Sequence, residues 1–217
     1  MQPLMFTYVE YDPSDLLSHF FAVITLAPIY LIVGVLAVIL TRREIRACTL
    51  VLGLTFNECV NYTLKHAFAQ PRPPPPHGSW FSPVGYGMPS SHAQMMAFFA
   101  VWIIYLLERK ETKLLMRWEN LIIHLSSVFL PLLVAVSRVY LGVHTYWQVI
   151  VGLLVGLTTG LLWVALERLI LRDFLLTKAF LSSRASTFLS LKDSAVMNIP
   201  LLQEAENMKK WVSAESS

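Results

Sequence analysis

Apolar positions in this chain come in long unbroken runs, and polar ones collect between them. Residues 19–40 contain no Asp, Glu, Lys or Arg and are closed by Arg42 and Arg43. A helix rising about 1.5 Å per residue carries such a run across a hydrocarbon core of roughly 30 Å, so the pattern predicts one transmembrane helix there. Residues 47–64 predict a second, interrupted by Asn57, Glu58 and Asn61; polar groups at that depth place it inside a bundle rather than against lipid. Residues 65–90 read KHAFAQPRPPPPHGSWFSPVGYGMPS, too rich in proline for a helix, and predict an extended loop at the membrane surface. A third helix is expected over 91–107, with Ser90 or Ser91 as its N-cap after Pro89. A fourth is expected over 121–136, reaching as far as 141, and a fifth over the uncharged stretch 146–166. Gly152, Gly156 and Gly160 recur every four residues in the fifth, a small-residue stripe suited to close helix packing. The expected fold is an all-α, polytopic membrane bundle of about five transmembrane helices. Residues 1–170 would form the membrane-embedded domain and 171–217 a cytosolic tail, in which 179–191 suit a membrane surface.

Composition sharpens this picture. The chain is 55% hydrophobic and 14% charged over 217 residues, which sets it apart from soluble domains. A net charge of +3 gives no reason to expect a nucleic-acid partner. Cys48 and Cys59 share one apolar run and read as buried thiols with no disulfide framework. The first sixteen residues hold Glu10, Asp12 and Asp15 but no Lys or Arg, unlike a cleavable signal peptide, so the first apolar run is expected to stay as an anchor. If Arg42, Arg43 and Arg46 face the cytosol, five spans put Arg109, Lys110, Lys113, Arg117 and the tail there too. The basic residues then left on the opposite face are Lys65, Arg72 and Arg138. Cations placed against the prevailing bias need a local reason, and binding an anion is the simplest.

Those cations belong to three short patterns. Lys65 is followed after six residues by Arg72 and Pro73; Pro89, Ser90, Ser91 and His92 open the third helix; Ser137 and Arg138 precede His144. Arginine presents a planar fork of donors matched to phosphate oxygens. A histidine that is partly neutral near pH 7 can attack phosphorus or move a proton. Serine hydroxyls and the free N–H groups of a helix start supply oriented donors to an anion. K-x6-RP, PSSH and SR-x5-H, in this order and on one face, resemble the three-part signature of the type 2 phosphatidic acid phosphatase superfamily. PSSH, SRVYLGVHTYWQ and the short length are similar to its dolichyldiphosphatase branch. The likeness covers roughly residues 15–170.

The resemblance implies that His144 is the nucleophile and His92 the general acid and base. It also implies that Lys65, Arg72, Ser90, Ser91 and Arg138 bind the phosphate. No metal and no cofactor are expected, because the cations neutralise the transferring group. The implied substrate is dolichyl diphosphate, cleaved to dolichyl phosphate at the lumenal face of the endoplasmic reticulum, which recycles the carrier for protein N-glycosylation. Membrane lipid is the other expected partner, and no obligatory protein partner is implied. Where the superfamily usually has Asp four residues after the nucleophile, this chain has Gln148, as the branch it resembles also does. Residues four apart share a helix face, so the amide oxygen can orient the His144 ring. Other readings stay open: a phosphatase for another lipid phosphate or polyprenyl diphosphate, a catalytically silent lipid-binding scaffold, or a vanadate-dependent oxidant enzyme. Asn57, Asn61 and Glu58 are expected as buried polar residues satisfied by a neighbouring helix; the alternative is that they support the cradle, with Glu58 holding one of its cations or replacing the missing Asp. Trp80, Phe81 and Tyr86 read as interfacial aromatics.

Overall fold

The computed structural model describes residues 9–74, 85–108 and 117–171, which fold as a helical bundle. Its elements are α1 (Leu16–Ile24), α2 (Ala27–Arg42), α3 (Ile45–Phe68), α4 (Ser91–Leu107), α5 (Arg117–Tyr140) and α6 (Tyr146–Leu166), followed by a π-helical turn over Glu167–Leu171. Trp80 and Phe81, the basic connection at 109–116 and the tail from 172 lie outside the described residues.

Four of the five expected spans are present as single helices, and α4 and α6 have the predicted bounds. The second and fourth are longer than expected, so Lys65 falls in the last turn of α3 and Arg138 in the last turn of α5. The first span departs from expectation: its apolar run, Leu16–Arg42, is broken at Thr25 and Leu26. Pro28 explains the break. Its ring lacks an N–H and collides with the carbonyl four residues back, which belongs to Ile24, the last residue of α1.

The central helix is α4, packed against α3, α5 and α6. Its Ala93, Met96, Ala97 and Phe98 are fully or almost fully buried. The glycine stripe of α6 lies directly on it: a Cβ at Gly152 would meet the Ser90 carbonyl oxygen, and one at Gly156 the Gln94 carbonyl oxygen. Outward, α2, α5 and α6 present Val33, Leu40, Phe129 and Leu161 in exposed positions, an apolar exterior suited to lipid. Cys48 is only half-buried and Cys59 is exposed, contrary to the expectation of buried thiols, because Cys59 falls on the outer face of α3 with Phe56 and Tyr62.

Asn57 and Asn61 turn inward. The Asn61 amide donates to Gln94 Oε1 (2.8 Å), Gln94 Nε2 donates to Asn57 Oδ1 (2.9 Å) and Thr159 Oγ1 donates to the same oxygen (2.7 Å). This buried chain of side chains joins α3, α4 and α6. It ends under the site, where Asn61 also donates to the Pro89 carbonyl (3.3 Å).

Candidate active site

The α5–α6 turn fixes Arg138 and His144 relative to each other through the backbone. Gly142 adopts φ +67°, a left-handed conformation that glycine takes at no steric cost. Its N–H bonds the Val139 carbonyl (2.9 Å) while the N–H of Val143 bonds that of Arg138 (3.1 Å), the paired bonds of a Schellman helix end. The same Arg138 carbonyl also accepts from the His144 N–H (3.2 Å).

α6 then starts with a capping box: Thr145 Oγ1 accepts from the Gln148 N–H and Gln148 Oε1 from the Thr145 N–H (3.2 Å). Gln148 is fully buried, and every direction of its amide is used. Nε2 donates to the Pro71 carbonyl (2.9 Å) and to Gln70 Oε1 (3.2 Å), which leaves Oε1 to face His144 Nδ1 (3.0 Å). Gly87 seats against this amide with no room for a Cβ, and its N–H holds the Gln70 carbonyl (2.8 Å).

Those contacts determine the histidine tautomer. A carbonyl such as that of Pro71 can only accept, so the Gln148 amide cannot be turned round, and Nδ1 must carry the hydrogen. On the other side of the ring, Arg72 Nη1 lies 3.3 Å from His144 Nε2. A guanidinium can only donate, so Nε2 presents a lone pair. Burial, then the charges of Arg138 and Arg72, hold the His144 pKa well below its ordinary value, against the opposing pull of Gln148. The ring is therefore neutral at pH 7.

The PSSH segment comes in from above α4. The Met88–Pro89 peptide is cis, and the Ser90 N–H bonds the Gln148 carbonyl (3.0 Å), tying the start of α4 to the start of α6. Ser90 occupies the N-cap position, but its side chain does not cap the helix. Its hydroxyl is buried without a hydrogen-bond partner among the described residues, as are Nε of Arg72 and Nε of Arg138. Stranded donors of this kind are costly in a closed interior, and a tetrahedral oxyanion could satisfy them. Ser91 and His92 open the helix itself, half-buried.

His92 lies within electrostatic reach of Arg138, Lys65 and Arg72, and Lys65 within reach of Arg72 and Arg138. The three separated patterns thus meet at one end of the bundle. Side chains grouped in this way can hold a phosphoryl group among cations and N–H donors, with an imidazole lone pair on one side. Glu58 stays on the exposed face of α3, where it interacts with Lys65.

Reasoning from sequence missed Thr25, Gln70 and Gln94. It also passed over the T-x-x-Q capping signature of Thr145 to Gln148, a local signal for why that glutamine is held so firmly.

Comparison with known proteins bears on this geometry. The sequence pattern of the PAP2 superfamily matches residues 46–170. Dolichyldiphosphatase 1 of Dictyostelium discoideum is 38% identical over 175 residues, covering 78% of this chain and 73% of that protein. The human Dolichyldiphosphatase 1 is 37% identical over 172 residues, 76% and 69% of the two chains. The Saccharomyces cerevisiae dolichyldiphosphatase is 33% identical over 214 residues, 94% and 85%. Among solved structures, a transmembrane PAP2-type phosphatidylglycerolphosphate phosphatase from Bacillus subtilis superposes with a TM-score of 0.60. It covers 73% of this chain and 79% of its own at 20% identity, a likeness of fold.

Proposed function

Because the chain belongs to the PAP2 superfamily, in its dolichyldiphosphatase branch, we propose that it hydrolyses dolichyl diphosphate to dolichyl phosphate and inorganic phosphate. The observation that carries the reading is the His144 ring: Nδ1 tied to Gln148, and Nε2 presenting its lone pair toward Arg72.

In this mechanism Nε2 of His144 attacks the terminal phosphorus. An N–P bond forms as the bond to the bridging oxygen breaks, and His92 gives that oxygen its proton. The negative charge spreading over the equatorial oxygens is met by Lys65, Arg72 and Arg138, by Ser90 and Ser91, and by the N–H groups opening α4. His92 then takes a proton from water, whose oxygen attacks the phosphohistidine. Phosphate leaves and His144 regains its lone pair. Gln148 keeps the ring aligned throughout.

The charge bias along the chain supports placing this end of the bundle in the lumen of the endoplasmic reticulum and the tail in the cytosol. Residues 1–170 then form the phosphatase domain, and 171–217 the tail. A site at the ends of membrane helices suits a phosphate held at headgroup depth.

The test is phosphate release by purified protein in chelator, on dolichyl diphosphate, dolichyl phosphate, phosphatidate and a short isoprenoid diphosphate. Dolichyl diphosphate should be the best substrate and His144→Ala inactive. Equal turnover of phosphatidate would move the assignment to a general lipid phosphatase, and an active His144→Ala would end the nucleophile assignment.

A further inference from the structure

We propose that Thr25, which lies outside all three phosphate motifs, is a positioning residue for Arg138. This rests on the phosphate-binding reading above and extends it to the first span. Arg138 Nη1 donates to Thr25 Oγ1 at 2.8 Å across 113 residues of sequence. Thr25 is fully buried and Arg138 is 8% exposed, so water does not compete for the contact.

The fold holds this pair together from several sides, none of which depends on a ligand. Pro28 ends α1 at Ile24 and leaves Thr25 in the break, where its hydroxyl meets the guanidinium. α1 is also fastened to the last turn of α5, the turn that carries Arg138. There Tyr140 Oη donates to Asp15 Oδ2 (2.6 Å) and the Phe21 and Tyr140 rings pack at 4.8 Å. With one nitrogen committed to Thr25, Nε of Arg138 still has no partner among the described residues.

The choice of a hydroxyl matters chemically. A neutral acceptor fixes the plane of the guanidinium and leaves its charge for the phosphoryl oxygens. A carboxylate in that place would pair with it bidentately and compete with phosphate for the same fork. A guanidinium aligned before substrate arrives needs no reordering as charge develops.

The experiment compares wild type, Thr25→Val and Thr25→Ser in the full chain. It measures binding of inorganic phosphate by calorimetry, kcat and KM on dolichyl diphosphate, and thermal unfolding. Removing an acceptor from a charged donor should weaken phosphate binding and lower kcat/KM about tenfold or more, and Thr25→Ser should restore both. In an Arg138→Lys background, Thr25→Val should add little, because its effect runs through the guanidinium. Unchanged phosphate affinity in Thr25→Val, even with a lower unfolding temperature, would reduce Thr25 to packing and overturn the proposal. So would an undiminished Thr25→Val effect in the Arg138→Lys background. Should Thr25→Val fail to fold, Thr25→Ala carries the same comparison. A wild type that binds phosphate without turnover would count against the hydrolase reading alone, while one that binds none would end both.

Discussion

Replacing Gln148 by Glu changes one atom type in a fully buried side chain, and the surrounding contacts set its effect. The acceptor that faces His144 Nδ1 at 3.0 Å is retained. The donor that faces the Pro71 carbonyl at 2.9 Å and Gln70 Oε1 at 3.2 Å becomes an oxygen. The Gln70 amide can turn its Nε2 toward the new oxygen, but the Pro71 carbonyl can only accept, so two acceptors face each other there with no hydrogen between them. Stranding a buried polar group costs about 1–3 kcal/mol, equivalent to about 5- to 150-fold in an equilibrium or rate. The crowding is relieved if segment 70–72 moves off, and that segment carries Arg72, 3.3 Å from His144 Nε2. Gln148→Glu should therefore lower kcat/KM at pH 7 by about one to two orders of magnitude. It should also move the acid limb of the pH profile upward, since a carboxylate stabilises the imidazolium that the neutral amide does not. Full pH profiles of kcat/KM for both proteins, with phosphate release as the readout, decide it. A Gln148→Glu enzyme of wild-type activity with an unmoved acid limb would refute the claim that the amide both orients His144 and anchors the Arg72 segment.

Other consequences are as specific. His144 must be unprotonated to attack, and its pKa is held well below the ordinary value; the wild-type acid limb that reports it should lie below pH 6.5. Arg72→Ala and Arg138→Ala should each cost about 10²–10³ in kcat while leaving the helix content by circular dichroism unchanged. Gln94→Leu removes the bonds that link Asn61 to Asn57, leaving Asn57 Oδ1 with Thr159 alone and the Asn61 amide with the Pro89 carbonyl alone, and should destabilise by about 1–3 kcal/mol in all, read by thermal unfolding in detergent. Gly156→Val drives a side chain into the Gln94 backbone; overpacking of this kind costs about 1–3 kcal/mol and should lower the unfolding temperature.

The parts of this molecule that sequence reveals are those written locally. α4 could be bounded because its apolar run follows the cap signal of Pro89 and Ser90, and α6 because residues 146–166 carry no charge. The residues proposed to face phosphate stand out because cations, serines and histidines are conspicuous at the ends of apolar helices. What stayed hidden acts across helices. Thr25 meets a partner 113 residues away, Gln94 partners 33 and 37 away, and Gln70 one 78 away. Hydrogen bonds at such separations leave no periodic trace, and a lone Thr or Gln in an apolar run resembles ordinary helix filling. The break in the first span was legible in principle, since Pro28 forbids the helical bond to Ile24, but mean apolarity over a long window is blind to one missing N–H. Cys59 was misplaced for a related reason: in a membrane chain an apolar run has an outer face as well as an inner one.

The central claim is that His144 Nε2 becomes bonded to phosphorus. Incubating the purified enzyme with dolichyl diphosphate labelled in its terminal phosphate, quenching in base within a turnover and mapping the label by mass spectrometry tests this directly. The account predicts a base-stable, acid-labile phosphate on His144, absent in His144→Ala and, once formed, slow to hydrolyse in His92→Ala. Label on His92, or rapid phosphate release with no labelled enzyme at any time, would contradict it.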